Sequence, residues 1–128
     1  MGSKITEDER IMKIILQVCK ENALFFLDSQ TTANSVVSEV AAQMNVPVLV
    51  NNLFFDDVYT PQHIKKQADL LSQQLINREQ MIAIGHVGVP GPMTFNVLKE
   101  YIPAYQMKAE LVSLTNLIPE FKIIDGIE

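Results

Sequence analysis

The sequence predicts an α/β fold in which parallel strands alternate with helices. Short apolar runs without a polar break are typical of strands buried on both faces. Longer stretches between them carry apolar residues at helical spacing. The chain has 128 residues, 48% of them hydrophobic and 20% charged, as in an ordinary globular domain. Helices of this length between strands favour parallel pairing through right-handed crossovers, so we predict one parallel sheet with the order α-β-α-β-α-β-α-β.

The first half of the chain supplies two helix–strand pairs. Thr6–Glu9 is typical of a capping box and predicts a helix from about Glu7 to Asn22. The apolar run Leu24–Leu27 is the first predicted strand. A second helix follows with a C-terminal stop at Asn45, and Val46–Val50 is the second strand.

The second half continues the alternation. Asn51–Asp57 is predicted to be a loop with an apolar centre. Thr60-Pro61 combines a capping hydroxyl with a proline at the first helical position, which predicts a helix to about Asn77. The remaining predicted elements are a strand at Met81–Gly85, a short helix ended by Pro103, a strand at Glu110–Leu114 and an irregular tail at 119–128.

Charge and composition exclude several classes of function. The net charge of −5 and the pI near 5.0 argue against a nucleic-acid backbone or an anionic membrane as a partner. No apolar stretch approaches the ~20 residues of a membrane span, and Met1–Lys4 is not typical of a signal peptide, so localisation stays open. The single cysteine, Cys19, shares a helical face with Met12 and Leu16, which predicts a buried, inert thiol.

Polar side chains follow each predicted strand. In α/β sheets and barrels, ligands bind at the carboxyl ends of the strands, so we expect these side chains to share one region. Carboxylates beside an imidazole can hold a metal ion or act as a general acid/base pair. The candidates are Asp28, Ser29, Gln30, Thr31 and Thr32, then Asn51, Asn52, Asp56 and Asp57, then His86, and finally Ser113, Thr115 and Asn116.

Structural roles compete with these functional ones. Helix capping alone would explain Asp28 or Thr32. Asp57 fits a solvated turn, and His63 fits a surface position early in a helix. A lone histidine is usually structural, but His86 lies between an apolar strand and a glycine- and proline-rich loop, a position where function concentrates.

Two known signatures do not match. The segment Gly85–Gly91 follows a strand as a dinucleotide-binding loop would, but it lacks the G-x-G-x-x-G pattern. Pro90 also removes an amide that could face a phosphate. Ser29 is not within a G-x-S-x-G elbow, so a serine hydrolase has no support.

Several segments, in order, resemble the divergent polysaccharide deacetylase family, bacterial proteins with a distorted (β/α) barrel related to carbohydrate deacetylases. The most distinctive is Leu24–Thr32, with the sequence LFFLDSQTT. The resemblance covers nearly the whole chain and implies the C-terminal half of the family's barrel. The other matching segments are Met1-Gly2-Ser3 with Thr6 and Met12, Val46-Pro47, Phe54-Phe55-Asp56, Ile82–His86 and Leu111–Leu114.

The chain departs from the family pattern at several positions. Gln30 replaces a basic residue, Asn51-Asn52 replaces Arg-Asp, and Val87 replaces a proline. In the family, an early strand ending in an acidic pair and a histidine before Met-Gly-Ser precede the segments matched here. We therefore expect this chain to be inactive, or nearly so, by itself.

The resemblance implies metal-dependent hydrolysis of acetyl groups on a sugar, with a divalent metal ion, zinc being the candidate. It implies His86 and Asp28 as catalytic residues and His86 also as a metal ligand. A pocket for carbohydrate would be lined by Ser29, Thr31, Thr32 and Asp56. Members of the family are typically exported.

Two other functions remain open. The chain could be a non-catalytic α/β module that binds carbohydrate or protein, or, with less support, a small phosphate- or nucleotide-binding protein. Half of a barrel would also expose apolar surface of the kind that marks an interface, which predicts self-association.

Overall fold

The computed structural model describes residues 2–118 and confirms the α/β class with parallel strands. The described chain divides into two compact units, residues 2–50 with 113–118 and residues 51–112. Each unit contains a two-stranded parallel sheet, so the prediction of one four-stranded sheet is wrong for the described residues. The expectation of a single α/β unit over residues 1–128 stays a prediction, and the predicted tail at 119–128 lies outside the described residues.

The first unit is built around one βαβ crossover. Strands β1 and β2 pair in parallel, with Phe26 opposite Val48 and Asp28 opposite Val50. The elements are α1 (Ser3–Thr6), α2 (Glu9–Glu21), β1 (Phe26–Asp28), α3 (Val37–Met44), β2 (Val48–Val50) and a short 3-10 helix (Leu114–Leu117).

The ends of the first helices show where local signals act. Asp8, and not Thr6, caps α2, because its carboxylate accepts from the Ile11 N–H at 3.0 Å. Thr6 lies instead at the end of α1, where its hydroxyl donates to the Ser3 carbonyl. The predicted stop at Asn45 is confirmed, since Asn45 takes the left-handed conformation with φ 54° after α3.

The core of the first unit lies between α2 and α3. Met12, Leu16 and Cys19 share one face of α2 and are buried, as their helical spacing predicts. They pack in one cluster with residues of α3. Cys19 is 9% exposed, which confirms the expected buried thiol.

The second unit contains another βαβ crossover followed by a helix. Its elements are β3 (Leu53–Phe54), α4 (Pro61–Gln74), β4 (Ala83–Ile84) and α5 (Gly91–Gln106). Asn52 extends the ladder, because its side-chain Oδ1 accepts the Ile82 N–H while its backbone N–H donates to the Ile82 carbonyl, both at 2.8 Å. Strand β3 falls within the stretch predicted to be a loop, which is a correction at Leu53 and Phe54.

Two predictions about the second half of the chain are wrong. Pro103 does not end its helix, since α5 continues to Gln106. Proline removes the N–H that would bond to Lys99, but Lys99 is exposed, so water can satisfy that carbonyl. Glu110–Leu114 is not a strand, and Leu111 and Val112 are exposed, so their apolar character has no sheet to join.

Helices α4 and α5 form the core of the second unit with β3. Thr60 caps α4 with Pro61 next to it, as predicted, and the His63 N–H donates to the Thr60 hydroxyl at 3.2 Å. The Tyr105 hydroxyl donates to the Ala68 carbonyl at 2.9 Å, which ties α5 to α4. Among residues 2–118, none of the helices combines the length and the apolar character that crossing a membrane requires.

Candidate functional site

A histidine and a carboxylate meet beyond the ends of β3 and β4. Asp56 follows β3 by two residues, and His86 follows β4 by the same number. Because the two strands are parallel, with Phe54 opposite Ile84, their following residues emerge at the same end. The structure thus brings together two of the residues that the strand-end argument selected, Asp56 and His86.

The carboxylate of Asp56 accepts three donors. The Nδ1 atom of His86 lies 2.6 Å from Asp56 Oδ1, and the His86 backbone N–H donates to the same carboxylate, at 2.9 Å to Oδ2. The Thr94 hydroxyl, from the first turn of α5, donates to Oδ2 at 2.5 Å. An ionised carboxylate can only accept, so Nδ1 carries a proton and Nε2 is the ring nitrogen left for a ligand.

Asp56 is ionised more readily than an ordinary aspartate. Burial raises its pKa, but the hydrogen bonds from Thr94 and His86 outweigh burial and bring the pKa below its ordinary value. Asp56 is 0% exposed, whereas the side chain of His86 is 47% exposed. The arrangement is therefore a buried, fixed negative charge behind an accessible imidazole.

Thr94 was not anticipated from the sequence, and a glycine makes its contact possible. A Cβ atom built on Gly85 would lie 2.9 Å from Thr94 Cγ2 and 3.5 Å from Asp56 Oδ2. Glycine at the end of β4 thus lets α5 approach the carboxylate closely. The local signal was a glycine before the histidine, but nothing in the sequence pairs that glycine with a threonine in the next helix.

Two aromatic rings flank His86. The Phe54 ring stacks on the imidazole with centroids 5.9 Å apart and an angle of 19° between the planes. Tyr59 meets the imidazole edge-on, with centroids 6.5 Å apart. Tyr59 is 57% exposed, so the imidazole and part of an aromatic ring face solvent together.

Asp57 and His63 form a second pair in the same unit. The Nε2 atom of His63 lies 2.6 Å from Asp57 Oδ1, and the Gln67 amide lies 3.1 Å from the same nitrogen. The side chain of His63 is 22% exposed, so the prediction of a surface histidine is wrong in part. Asp57 is exposed, as a residue of a solvated turn should be, but its carboxylate pairs with His63.

The first unit carries a separate polar loop after β1. Asp28, 2% exposed, accepts the Gln30 N–H at 2.9 Å and the Ser35 hydroxyl at 2.6 Å. Gln30 has a positive φ of 56°, a backbone conformation that residues other than glycine adopt with some strain. Asp28 therefore fixes the shape of its own loop.

The other candidates of this loop take different positions. Thr32 donates to Glu7 and accepts the Asn34 N–H at 3.2 Å, while Thr31 is exposed and Ser29 is half-buried. Neither Asp28 nor Thr32 caps α3, whose N-cap residue is Val36, so the capping alternative is wrong.

The remaining candidates make hydrogen bonds within their own units. Ser113 hydrogen bonds to Thr115 and Asn116 within the first unit, but no strand precedes it. Asn51 accepts the Leu53 N–H and Asn52 pairs with Ile82, so both complete the β3–β4 region. Asp28 and His86 belong to different units, and their sharing of one pocket stays a prediction.

The donors present do not by themselves fit a catalytic metal. A catalytic zinc site normally takes three protein ligands. No group of three histidine, cysteine, aspartate or glutamate side chains able to hold a metal ion occurs in residues 2–118. Nδ1 of His86 and both oxygens of Asp56 are already engaged, so the pair offers one ligand, Nε2.

Comparison with known proteins identifies the relatives of this chain. A sequence model of the family described as divergent polysaccharide deacetylase matches residues 1–118. An uncharacterized protein from Haemophilus influenzae is 32% identical over 97% of this chain and 43% of its own length. The uncharacterized protein YibQ from Escherichia coli is 30% identical over 94% of this chain and 37% of its own length.

A solved structure shares the fold. An uncharacterized protein from Agrobacterium tumefaciens superposes with a TM-score of 0.80 at 18% identity, over 91% of this chain and 47% of the solved one. At this identity the likeness shows the fold alone. The chain thus spans less than half the length of the relatives it matches.

Proposed function

The chain belongs to the divergent polysaccharide deacetylase family, and on that premise we propose that it supplies the proton-transferring histidine of a hydrolytic site for acetylated sugars. The observation that carries the proposal is the hydrogen bond of 2.6 Å between His86 Nδ1 and the buried Asp56 carboxylate. An imidazole oriented at one nitrogen by a carboxylate can donate or accept a proton at the other. His86 has this arrangement together with solvent access.

The chemistry required is an acyl transfer to water. Water adds to the acetyl carbonyl carbon and gives one proton to a base, the bond from that carbon to the sugar nitrogen or oxygen breaks, and the departing atom takes up a proton. In the proposal, Nε2 of His86 accepts the proton that the water gives up and then donates a proton to the departing atom. Asp56 keeps the imidazole in one orientation through its contact with Nδ1.

That the polar loop after β1 binds sugar stays a prediction. Ser29, Thr31 and Thr32 carry hydroxyls that can donate to and accept from sugar hydroxyls. Asp28 supports that loop through Gln30 and Ser35. A direct catalytic role for Asp28 and the divalent metal ion implied by the resemblance stay predictions, and no step above depends on either.

The experiment follows sugar binding and hydrolysis in the same samples. We expect tri-N-acetylchitotriose, titrated into the isotope-labelled chain, to shift the NMR signals of His86 and Tyr59. In His86→Ala the shift of the Tyr59 signal should disappear without unfolding of the chain, whereas Gln62→Ala, at an exposed position on α4, should leave both shifts unchanged. Shifts that are absent, or that lie away from His86, would show the proposal to be wrong.

Acetate release decides the catalytic part. We expect the 128-residue chain alone to release little or no acetate, because the described donors do not complete a metal site. Robust turnover that disappears in His86→Ala would uphold the role of His86 and show that the expectation of an inactive chain is wrong. Robust turnover that survives His86→Ala would contradict the proposal itself.

A second candidate function is carbohydrate binding without catalysis. The observation that favours it is the pair of rings at His86, Phe54 stacked and Tyr59 edge-on, since aromatic walls with a few polar groups are typical of ligand sites. For a binding module, sugar affinity in His86→Gln should stay within a few-fold of the original, because an amide keeps the hydrogen bonding. Acetate release should then be absent at every metal concentration tested.

A further inference from the structure

One residue of α4, His63, contacts both the first and the last residue of the turn formed by residues 57–60. Its imidazole Nε2 lies 2.6 Å from Oδ1 of Asp57, the first residue of the turn. Its backbone N–H donates to the hydroxyl of Thr60, the last residue, at 3.2 Å. A side-chain contact and a backbone contact from a single position thus tie the turn to the first turn of the helix.

Tyr59 is presented by this turn. The Thr60 N–H donates to the Val58 carbonyl at 2.8 Å, which is the hydrogen bond of a γ-turn centred on Tyr59. The Tyr59 ring then meets His86 edge-on at 6.5 Å and 69°. Tyr59 is 57% exposed, so it lacks the surrounding core that would hold a buried ring, and its position depends on the turn that carries it.

The tie between His63 and Asp57 is better shielded than an ordinary surface pair. Asp57 has a side chain 54% exposed, but that of His63 is only 22% exposed. Partial burial of one partner reduces screening by solvent and salt, and the His63 ring sits on a helix, where its orientation costs little further entropy. The contact is therefore suited to holding a loop in place.

We propose that His63 is a positioning residue that holds Tyr59 against His86, so that Tyr59 forms a wall of the His86 site. The role of the wall rests on the proposed function, since it requires a ligand at His86. The chemistry that fits is a sugar ring, whose C–H face packs on an aromatic side chain while its polar groups meet the imidazole. Tyr59 would thereby influence which sugar is accepted.

The experiment uses the ligand-free chain and reads ring-to-ring nuclear Overhauser effects at His86. His63→Ala removes the imidazole but keeps the backbone N–H that caps α4 with Thr60. We expect loss of the Tyr59–His86 signal in this variant. The Phe54–His86 signal should persist, because Phe54 belongs to β3 and does not depend on the turn.

Matched variants separate positioning from general damage. Asp57→Ala removes the same contact from its exposed side and should give the same loss, while Gln62→Ala should retain both signals. His63→Gln, whose amide can donate to Asp57, should recover part of the Tyr59–His86 signal. Retention of the full Tyr59–His86 signal in both His63→Ala and Asp57→Ala would overturn the inference. If His63→Ala also loses the Phe54–His86 signal, the Asp57→Ala result decides.

Sugar titration then tests the wall separately. We expect Tyr59→Ala and His63→Ala each to weaken binding of tri-N-acetylchitotriose about tenfold. Unchanged affinity in both variants would show that Tyr59 does not form a wall of the sugar site, while leaving the positioning result intact. If the unmodified chain binds no sugar, the proposed function and the wall both fail, and the ligand-free signals still decide whether His63 positions Tyr59.

Discussion

Two buried aspartates lie at strand ends in this protein, and they are held in different ways. Asp28, at the end of β1, accepts hydrogen bonds within its own loop, from Gln30 and Ser35. Asp56, beyond β3, accepts from residues separated by 30 and 38 positions in sequence, His86 and Thr94. One carboxylate shapes a loop, whereas the other joins three segments of chain.

The difference teaches which carboxylate is suited to a site. A locally bonded aspartate is explained by the turn that it stabilises. An aspartate whose partners are distant orders side chains that would otherwise move independently, and one of those at Asp56 is a half-exposed imidazole. For this reason the proposed chemistry centres on Asp56 and His86.

The largest expected effect comes from removing each carboxylate in turn. Asp56→Ala leaves the donors of His86 and Thr94 without their acceptor in a buried place and should cost about 3 kcal/mol of unfolding free energy. Asp28→Ala should cost about 1 kcal/mol, because Gln30 is exposed and Ser35 is half-buried, so water can replace the carboxylate. Urea denaturation measures both. Equal losses would break the distinction between the two carboxylates.

A smaller effect is expected from filling the space beside Gly85, which allows Thr94 to approach Asp56. Gly85→Ala would place a Cβ 2.9 Å from Thr94 Cγ2 and should cost about 2 kcal/mol through overpacking. Gly2→Ala is the matched control, since a Cβ there meets nothing within 4 Å, and its effect should stay within about 0.5 kcal/mol. A Gly85→Ala protein as stable as the original, with the His86 signals unchanged, would contradict the close approach.

The smallest expected effect is a dependence of stability on pH that belongs to Asp56. Burial alone raises its pKa, but hydrogen bonds from Thr94 and His86 bring the pKa in the folded chain below the ordinary 3.8. The stabilisation is therefore fully present above pH 3.8 and is lost as the pH falls through the lower, folded value. Urea midpoints measured from neutral pH down to strongly acidic pH should fall less in Asp56→Asn than in the original chain. A fall of equal steepness would assign the effect to other groups.

Much of the fold could be predicted because its signals are local. The Thr60-Pro61 start of α4 and the Asn45 stop of α3 depend on neighbouring backbone groups, and both are confirmed. Asp8 displaced Thr6 as a cap because a short preceding helix engages the Thr6 hydroxyl, which the sequence pattern did not indicate. The apolar run at Leu111 and Val112 is exposed and forms no strand. Strand formation depends on pairing with a distant segment, which a local pattern does not reveal.

The residues that follow the strands of the site could be selected from the sequence, but the residues that support them could not. Asp56 and His86 were both selected as residues that follow predicted strands, although β3, the strand that brings Asp56 to His86, was predicted to be a loop. Thr94 contributes through the packing of α5, and no short-range pattern links it to Asp56. The pairing of Asp57 with His63 was also missed, because each residue alone has an ordinary explanation in a turn or on a helix.

The division into units has a consequence for the order of events during synthesis. The second unit, residues 51–112, is one continuous stretch, whereas the described part of the first unit includes residues 113–118, which follow the second in sequence. Ile118, 2% exposed, therefore emerges from the ribosome after every residue of the second unit. Domains fold as units while the chain grows, so the second unit can be finished while the first still lacks Ile118. The first unit begins to be synthesised earlier, but in this respect it is completed later than the second.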